Sequence, residues 1–185
     1  MPFDEKTLAF GDVSLSLKGA RSCPLTGDTV WNLGEGSSAR CCWEPKSFDG
    51  TDQNRVSINF SSTPESEADL QRLEKWVLDT VSQNPKKFFD KDLTPAQVSE
   101  RFVSSLKVSA KGYKSIRAKM NFAGRNAVNY WTSAKAPRGP PEDWLSDTLQ
   151  PRLVARGLWF MARDFGVLLE MTDCLVSDGA AVCPF

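Results

Sequence analysis

The sequence predicts an α+β fold, mainly antiparallel β and closing towards a partly open barrel, with two helices inserted mid-chain. Three observations carry this. Runs with a two-residue alternation occupy the first third of the chain and return after residue 114. Two capped helical patterns stand between them. The last third holds two long apolar runs joined by four residues, the spacing of an antiparallel hairpin. Closure towards a barrel would remove the edges of such a sheet.

The elements follow in order. Thr7–Phe10 reads as a strand, and in Asp12–Leu17 Val13, Leu15 and Leu17 alternate with Asp12, Ser14 and Ser16. Gly19 and the cluster Pro24–Asp28 predict turns. Val30–Leu33 is a strand ended by Gly34–Ser38, Arg40–Trp43 another, and Glu44–Asn54 a loop. Arg55–Ser61 places Val56, Ile58 and Phe60 on one face. Thr63-Pro64-Glu65 is a helix start: a capping hydroxyl, proline at the first helical position and acids at the positive dipole end. The stripe Leu70, Leu73, Val77, Val81, with Trp76 beside it, runs to a stop at Asn84-Pro85. Thr94-Pro95-Ala96-Gln97 is a capping box opening a second helix with Val98, Phe102 and Leu106 on its apolar face.

Ser115–Phe122 alternates Ile116, Ala118, Met120 and Phe122 with Arg117, Lys119 and Asn121. Its parity sends Phe122 to the core. Gly124-Arg125-Asn126 predicts a hairpin turn to a partner strand, Ala127–Thr132. Ser133–Pro151, with four prolines, is expected to be a long surface loop. Arg152–Met161 and Gly166–Val176 form the closing hairpin, with Trp159, Phe160 and Val167-Leu168-Leu169 assigned to the core. The expected organisation is one globular domain over 1–176 and a loosely ordered tail over 177–185.

Composition narrows the function. With 41% hydrophobic and 25% charged residues, 11 Phe and 6 Trp, the chain has ample apolar area for a core. There is no histidine, which excludes Ser-His-Asp and Cys-His catalysis and histidine-ligated metals. No phosphate-loop, dinucleotide or nucleophile-elbow pattern occurs. The expectation is a binding protein, not an enzyme, with no cofactor. The five cysteines, Cys23, Cys41, Cys42, Cys174 and Cys183, lack metal-ligand spacing, so free thiols and no metal are expected. The N-terminus has no signal-peptide pattern and no run reaches bilayer length, so the expected location is intracellular, with no membrane partner.

Lys plus Arg and Asp plus Glu are both 23, yet residues 84–140 hold twelve basic and three acidic residues, a local net of +9. A basic segment in a neutral chain points to a localised anionic partner, of which phosphate backbones are the commonest. The same lysines also suit a plain solvated surface paired with distant acids. Around the expected 115–132 hairpin lie Lys107, Lys111, Tyr113, Lys114, Arg117, Lys119, Arg125, Tyr130 and Trp131. These are the candidate nucleic-acid-binding residues, because single-strand binders combine a basic groove with aromatics on which bases stack. Tyr113, in a loop context beside Gly112, is the expected exposed stacker, whereas Tyr130 and Trp131 are adjacent and must face opposite ways. Arg55 and Arg152 begin strands, and the sequence leaves open whether they flank the same groove.

The layout of strands, helices and a terminal hairpin, with Gly157-Leu158-Trp159-Phe160 answered by Phe165-Gly166-Val167-Leu168-Leu169, resembles the OB-fold-like single-stranded DNA-binding proteins of large DNA viruses, phages and protists. The resemblance spans Arg40 to Val176. It implies an OB-like, barrel-like sheet with a basic groove, single-stranded DNA as partner in a replication setting, and a homo-oligomer or a replication protein as further partners. Such phage proteins often end in an acidic tail with a terminal aromatic. Phe185 matches, but only Asp173 and Asp178 are acidic nearby, which argues against recruitment through the tail. The competing reading is a protein-interaction or structural module, such as a virion or scaffold component, whose basic segment docks an acidic partner and whose Ala136–Pro141 loop makes contacts.

Overall fold

The computed structural model describes residues 3–16, 19–33, 39–47 and 52–177. In chain order the elements are β1 (Ala9–Phe10), β2 (Ser14–Leu15), β3 (Arg21–Thr26), β4 (Val30–Asn32), β5 (Lys46–Ser47), β6 (Arg55–Ser61), α1 (Pro64–Gln83), α2 (Pro85–Phe89) and α3 (Pro95–Arg101). They continue with β7 (Leu106–Val108), β8 (Lys114–Asn121), β9 (Asn129–Trp131), β10 (Pro137–Arg138), β11 (Thr148–Met161) and β12 (Asp164–Ser177). The strands form one open, mixed sheet ordered β1-β3-β11-β12-β8-β6-β5.

The two 14-residue strands β11 and β12 are the spine of this sheet. They pair antiparallel from Thr148↔Ser177 to Met161↔Asp164, with register shifts at Arg152/Leu153 and Ala155/Gly157. The second shift gives β11 one extra residue, Arg156. Gly157 beside it has φ of 148°, and a Cβ there would stand 2.0 Å from the Cys23 carbonyl oxygen. Only glycine allows β3 to come this close. β11 takes β12 on one edge, and β3 and β4 in succession on the other.

The inner face collects the apolar residues. Val56, Ile58 and Phe60 of β6, Ile116, Ala118 and Met120 of β8, Leu153, Ala155 and Leu158 of β11, and Val167, Leu169 and Met171 of β12 are all buried. Leu70, Leu73, Val77 and Val81 of α1 join the same core. The α1 stripe therefore follows from the 3.6-residue period and the strand faces from the two-residue period. Thr63 caps α1 through a reciprocal box with Ser66, and Thr94 caps α3 through one with Gln97.

Several expectations are corrected. The described residues form three helices, because Pro85 starts a short helix where the break was expected: Asn84 ends α1 and caps α2. α3 stops at Arg101. Phe102 instead bridges to Phe165 and Leu106 enters β7, so neither lies on a helix face. Arg21–Thr26 is a strand despite Pro24, and the turn falls at Gly27-Asp28. The 133–151 loop contains β10 and the start of β11, with Pro151 buried inside that strand.

The expected 115–132 hairpin does not form. β8 instead makes a hairpin with β7, whose tip is Ser109–Tyr113, and pairs antiparallel with β6 along its other edge. β8 and β9 then lie one after the other against the same edge of β12, both parallel to it, at Glu170↔Lys119 and Asp173↔Asn129. Local turn chemistry at Gly124 loses to pairing of β8 with β6 and of β9 with β12. Phe122, where the chain leaves the sheet, is 39% exposed and rests edge-on against Trp144 rather than entering the core. Trp159, Phe160 and Leu168 are half-buried rather than fully internal. The expected loop at 34–38 and tail residues 178–185 lie outside the described residues.

Candidate nucleic-acid interface

Since each strand alternates, burying one side of the sheet leaves the other as a largely polar surface. The registers define it row by row. Val30, Val154, Glu170, Lys119, Ser57 and Lys46 are successive cross-strand partners from β4 to β5. One neighbouring row pairs Asn32, Arg152, Asp173 and Asn129, and another pairs Arg117 with Asn59. Six strands at about 4.8 Å spacing make this face roughly 24 Å wide. Among the described residues it carries Lys46, Arg55, Lys107, Arg117, Lys119, Arg152 and Arg156 against Glu170, Asp173 and, at the hairpin end, Asp164.

Glu170 organises the centre. It is 4% exposed, and its carboxylate accepts from Arg156 Nε at 2.7 Å, Asn121 Nδ2 at 2.9 Å and Lys119 Nζ at 3.1 Å. Burial alone would raise its pKa, but the bonds from Arg156 and Lys119 outweigh burial and hold the carboxyl below its usual value. The β-bulge aims Arg156 here: as the extra residue it reaches over Glu170 while staying 44% exposed. One buried negative charge thus holds two cations on the face, and a net positive charge remains.

The candidate residues distribute as follows. Lys119 is engaged with Glu170 and only partly accessible. Arg117 is exposed on the same face. Lys107 donates to the Ser104 carbonyl at 2.6 Å, and burial, then the nearby Arg117, lower its pKa against the opposing pull of Glu74. Trp131 lies on the face, half-buried, its Nε1 donating to Asp173 Oδ1 at 3.2 Å. Tyr130, on the opposite parity, is buried against Trp144, so its ring is not presented for stacking. Burial raises its hydroxyl pKa strongly. Arg125 is exposed in the excursion between β8 and β9.

The β7–β8 tip carries Lys111 and Tyr113, and Tyr113 is 72% exposed. Gly112, at φ of 81°, makes the tight return. Tyr113 shares a groove of about 550 Å³ with Lys111, Lys114, Ser61, Cys42 and Trp43. Trp43 is 45% exposed. Lys114 reaches Glu67 at 2.5 Å across the surface, and Lys114, then Ser62, lowers the Glu67 carboxyl pKa by hydrogen bonding. The groove opens at the end of the outer face: Cys42 N–H donates to Asn59 O and Ser61 N–H to Arg40 O, so residues 40–43 run along β6 beside that row.

Sequence reasoning missed Trp43 and Arg156. A Trp followed by Glu44-Pro45 in an irregular segment is the same loop signal that singled out Tyr113. No local signal marks Arg156, whose role comes from the bulge.

No family model matches the chain, and no curated protein matches it in sequence. Two solved structures are similar in chain path. The single-stranded DNA-binding protein from bacteriophage Enc34 in complex with ssDNA is 9% identical with a TM-score of 0.46, over 92% of this chain and 94% of that one. A C-terminal truncation of the same phage protein is 8% identical with a TM-score of 0.46, over 94% and 96%. Identity this low carries no residue role across. Among the described residues no helix is long and apolar enough to cross a membrane, and no cluster of three metal-ligating side chains occurs.

Proposed function

We propose that the protein binds single-stranded nucleic acid, DNA in the first instance, across the outer face of its sheet, without acting on it chemically. One observation carries this reading: a basic outer face, backed by the apolar core on the other side of the sheet, ends in a groove with two exposed aromatics, Trp43 and Tyr113, flanked by Lys111 and Lys114. Arg117, Arg152 and Arg156 supply contacts to phosphates, and the two rings supply stacking platforms, each adding about 1–3 kcal/mol per base. Tyr113 and Trp43 stack bases of any identity, which suits binding without sequence preference.

The test is titration of intrinsic tryptophan fluorescence with an unlabelled oligo-dT at two salt concentrations. Saturable quenching that weakens with salt is expected, as is at least a tenfold loss of affinity in Arg117→Glu/Arg152→Glu. Absence of binding by the folded protein at low salt, or unchanged affinity in that variant, would overturn the proposal. The face would then be read as a docking surface for an acidic protein.

A further inference from the structure

A second concentration of positive charge lies at the far end of the spine hairpin, on the inner side. Three segments distant in sequence meet there: the start of β3 with Arg21, the α2–α3 stretch with Phe89, Lys91 and Arg101, and the β11–β12 turn with Phe160 and Arg163. They line a cavity of about 210 Å³ whose one acidic lining residue is Asp164. A second depression of about 390 Å³ adjoins it through Arg101 and Arg163 and adds Glu100. Of their lining residues only Asp164, at the hairpin end, has the outer parity. Phe160 pairs with Phe165 and so has inner parity, opposite to Trp159.

The pocket is built rather than merely charged. Phe89 packs edge-on against Phe160 at 5.7 Å and Phe165 at 5.2 Å, which makes a rigid floor. The Arg101 guanidinium sits over the Phe89 ring at 5.7 Å. A cation–π contact of this kind uses none of the guanidinium's hydrogen-bond donors on another protein group, so they can serve an oxyanion. Arg101 and Lys91 form no ion pair among the described residues. Arg21 is paired with Asp90, yet its Nε is buried without a hydrogen-bond partner. Arg163 stands at the tip of a two-residue turn in which the preceding Ala162 adopts φ of 51°; its side chain is 85% exposed and its Nε lies 3.6 Å from Asp164 Oδ1. A chain of zero net charge thus gathers four cations around one small cavity; Asp90 pairs with Arg21 and Asp164 with Arg163, and the remaining positive charge of Lys91 and Arg101 favours an oxyanion. Phosphate fits best, because its charge approaches −2 near neutral pH and its oxygens match the guanidinium fork.

We propose that this pocket is a phosphate-binding site, separate from the outer face. The phosphate belongs either to a free phosphorylated small molecule or to the end of a nucleic-acid strand. The test is an amide-resolved NMR titration of the full chain with inorganic pyrophosphate, with sulfate as a control. Saturable shifts centred on Lys91, Arg101 and Arg163 are expected, with affinity at least tenfold weaker in Arg101→Gln/Arg163→Gln. Both side chains reach solvent, and retained spectral dispersion verifies the fold of that variant. Shifts spread evenly over all basic surfaces, equal binding of sulfate, or unchanged affinity in the variant would overturn the proposal. Oligo-dT with and without a 5′-phosphate identifies the source. Tighter binding of the phosphorylated strand that disappears in the variant assigns a strand end. Equal affinity for the strands with and without the 5′-phosphate, alongside saturable pyrophosphate binding, assigns a free ligand. The pyrophosphate result does not depend on whether the outer face binds nucleic acid.

Discussion

Glu170 shows how one side chain serves both stability and the surface. Its carboxylate is buried and accepts from Lys119, Arg156 and Asn121, so Glu170→Ala leaves a half-buried lysine without its counter-charge. A loss of about 2–3 kcal/mol in chemical denaturation is expected, discounted for the exposure of Arg156. Because the folded carboxyl titrates below the value of 4.5 it has when unfolded, its stabilising effect is present above pH 4.5 and is lost as pH falls through the folded value. Glu74 has the opposite sign. Burial raises its pKa against the hydrogen bonds from Ser104 and Ser105, so the folded state takes up its proton first, and stability due to this group falls as pH rises from 4.5 through its folded value. Denaturation of Glu74→Gln across this range should show a stability curve that rises more steeply with pH than the wild type. An unchanged curve would mean that Glu74 titrates normally. Gly157 is a purely geometric case. Gly157→Ala drives a Cβ into the Cys23 carbonyl and is expected to cost about 3 kcal/mol or more, read as a fall in thermal midpoint.

At the scale of elements, the helices and the long hairpin are locally encoded, and the short strands are not. α1 was readable from Thr63-Pro64 and its apolar stripe, and Thr63→Ala should cost about 1 kcal/mol through loss of the cap, measurable by urea denaturation. The β11–β12 pairing was readable because each strand carries a long apolar run and only a short turn lies between them. What misled was Gly124-Arg125-Asn126, a sound hairpin signal in isolation. The two halves of 115–132 find other partners instead: β8 forms its long ladder with β6 and touches β12 at Lys119, and β9 pairs with 173–175, since these distant strands offer more pairing and more apolar burial than a local turn can. Pro24 likewise reads as a turn residue, yet it sits in β3 opposite Gly157, where the bulge alters the ladder.

The molecule as a whole sets how charge is presented. The twelve basic residues of 84–140 do not share one surface: Lys107, Arg117 and Lys119 reach the outer face, Lys111 and Lys114 the β7–β8 tip, Lys91 and Arg101 the pocket at Phe89, and the others lie elsewhere. If the outer face carries the nucleic acid, log affinity should fall linearly with log salt, and each cation removed from it should reduce the slope by about 0.7. Arg152→Gln is expected to do this, whereas Arg163→Gln, on the inner-side pocket, should leave the slope for an unphosphorylated strand unchanged. Equal effects from both would show that charge acts globally rather than through a defined face.

The sequence by itself determined the element types with long periodic signals, the alternation that makes β8 basic on one side and apolar on the other, the exposure of Tyr113 beside Gly112, and the lack of histidine-based chemistry. These depend on neighbours a few residues away, where backbone periodicity and turn sterics act. Tertiary structure alone decided that Arg152 and Arg156 join Arg117, that Trp43 faces the same groove as Tyr113, that Tyr130 is internal, and that Lys119 is tied to Glu170. Each of these is a contact between segments tens of residues apart, fixed by which strand edges pair and by one bulge. Local propensity carries no information about such pairing, because its free energy comes from apolar area buried only when the whole sheet assembles.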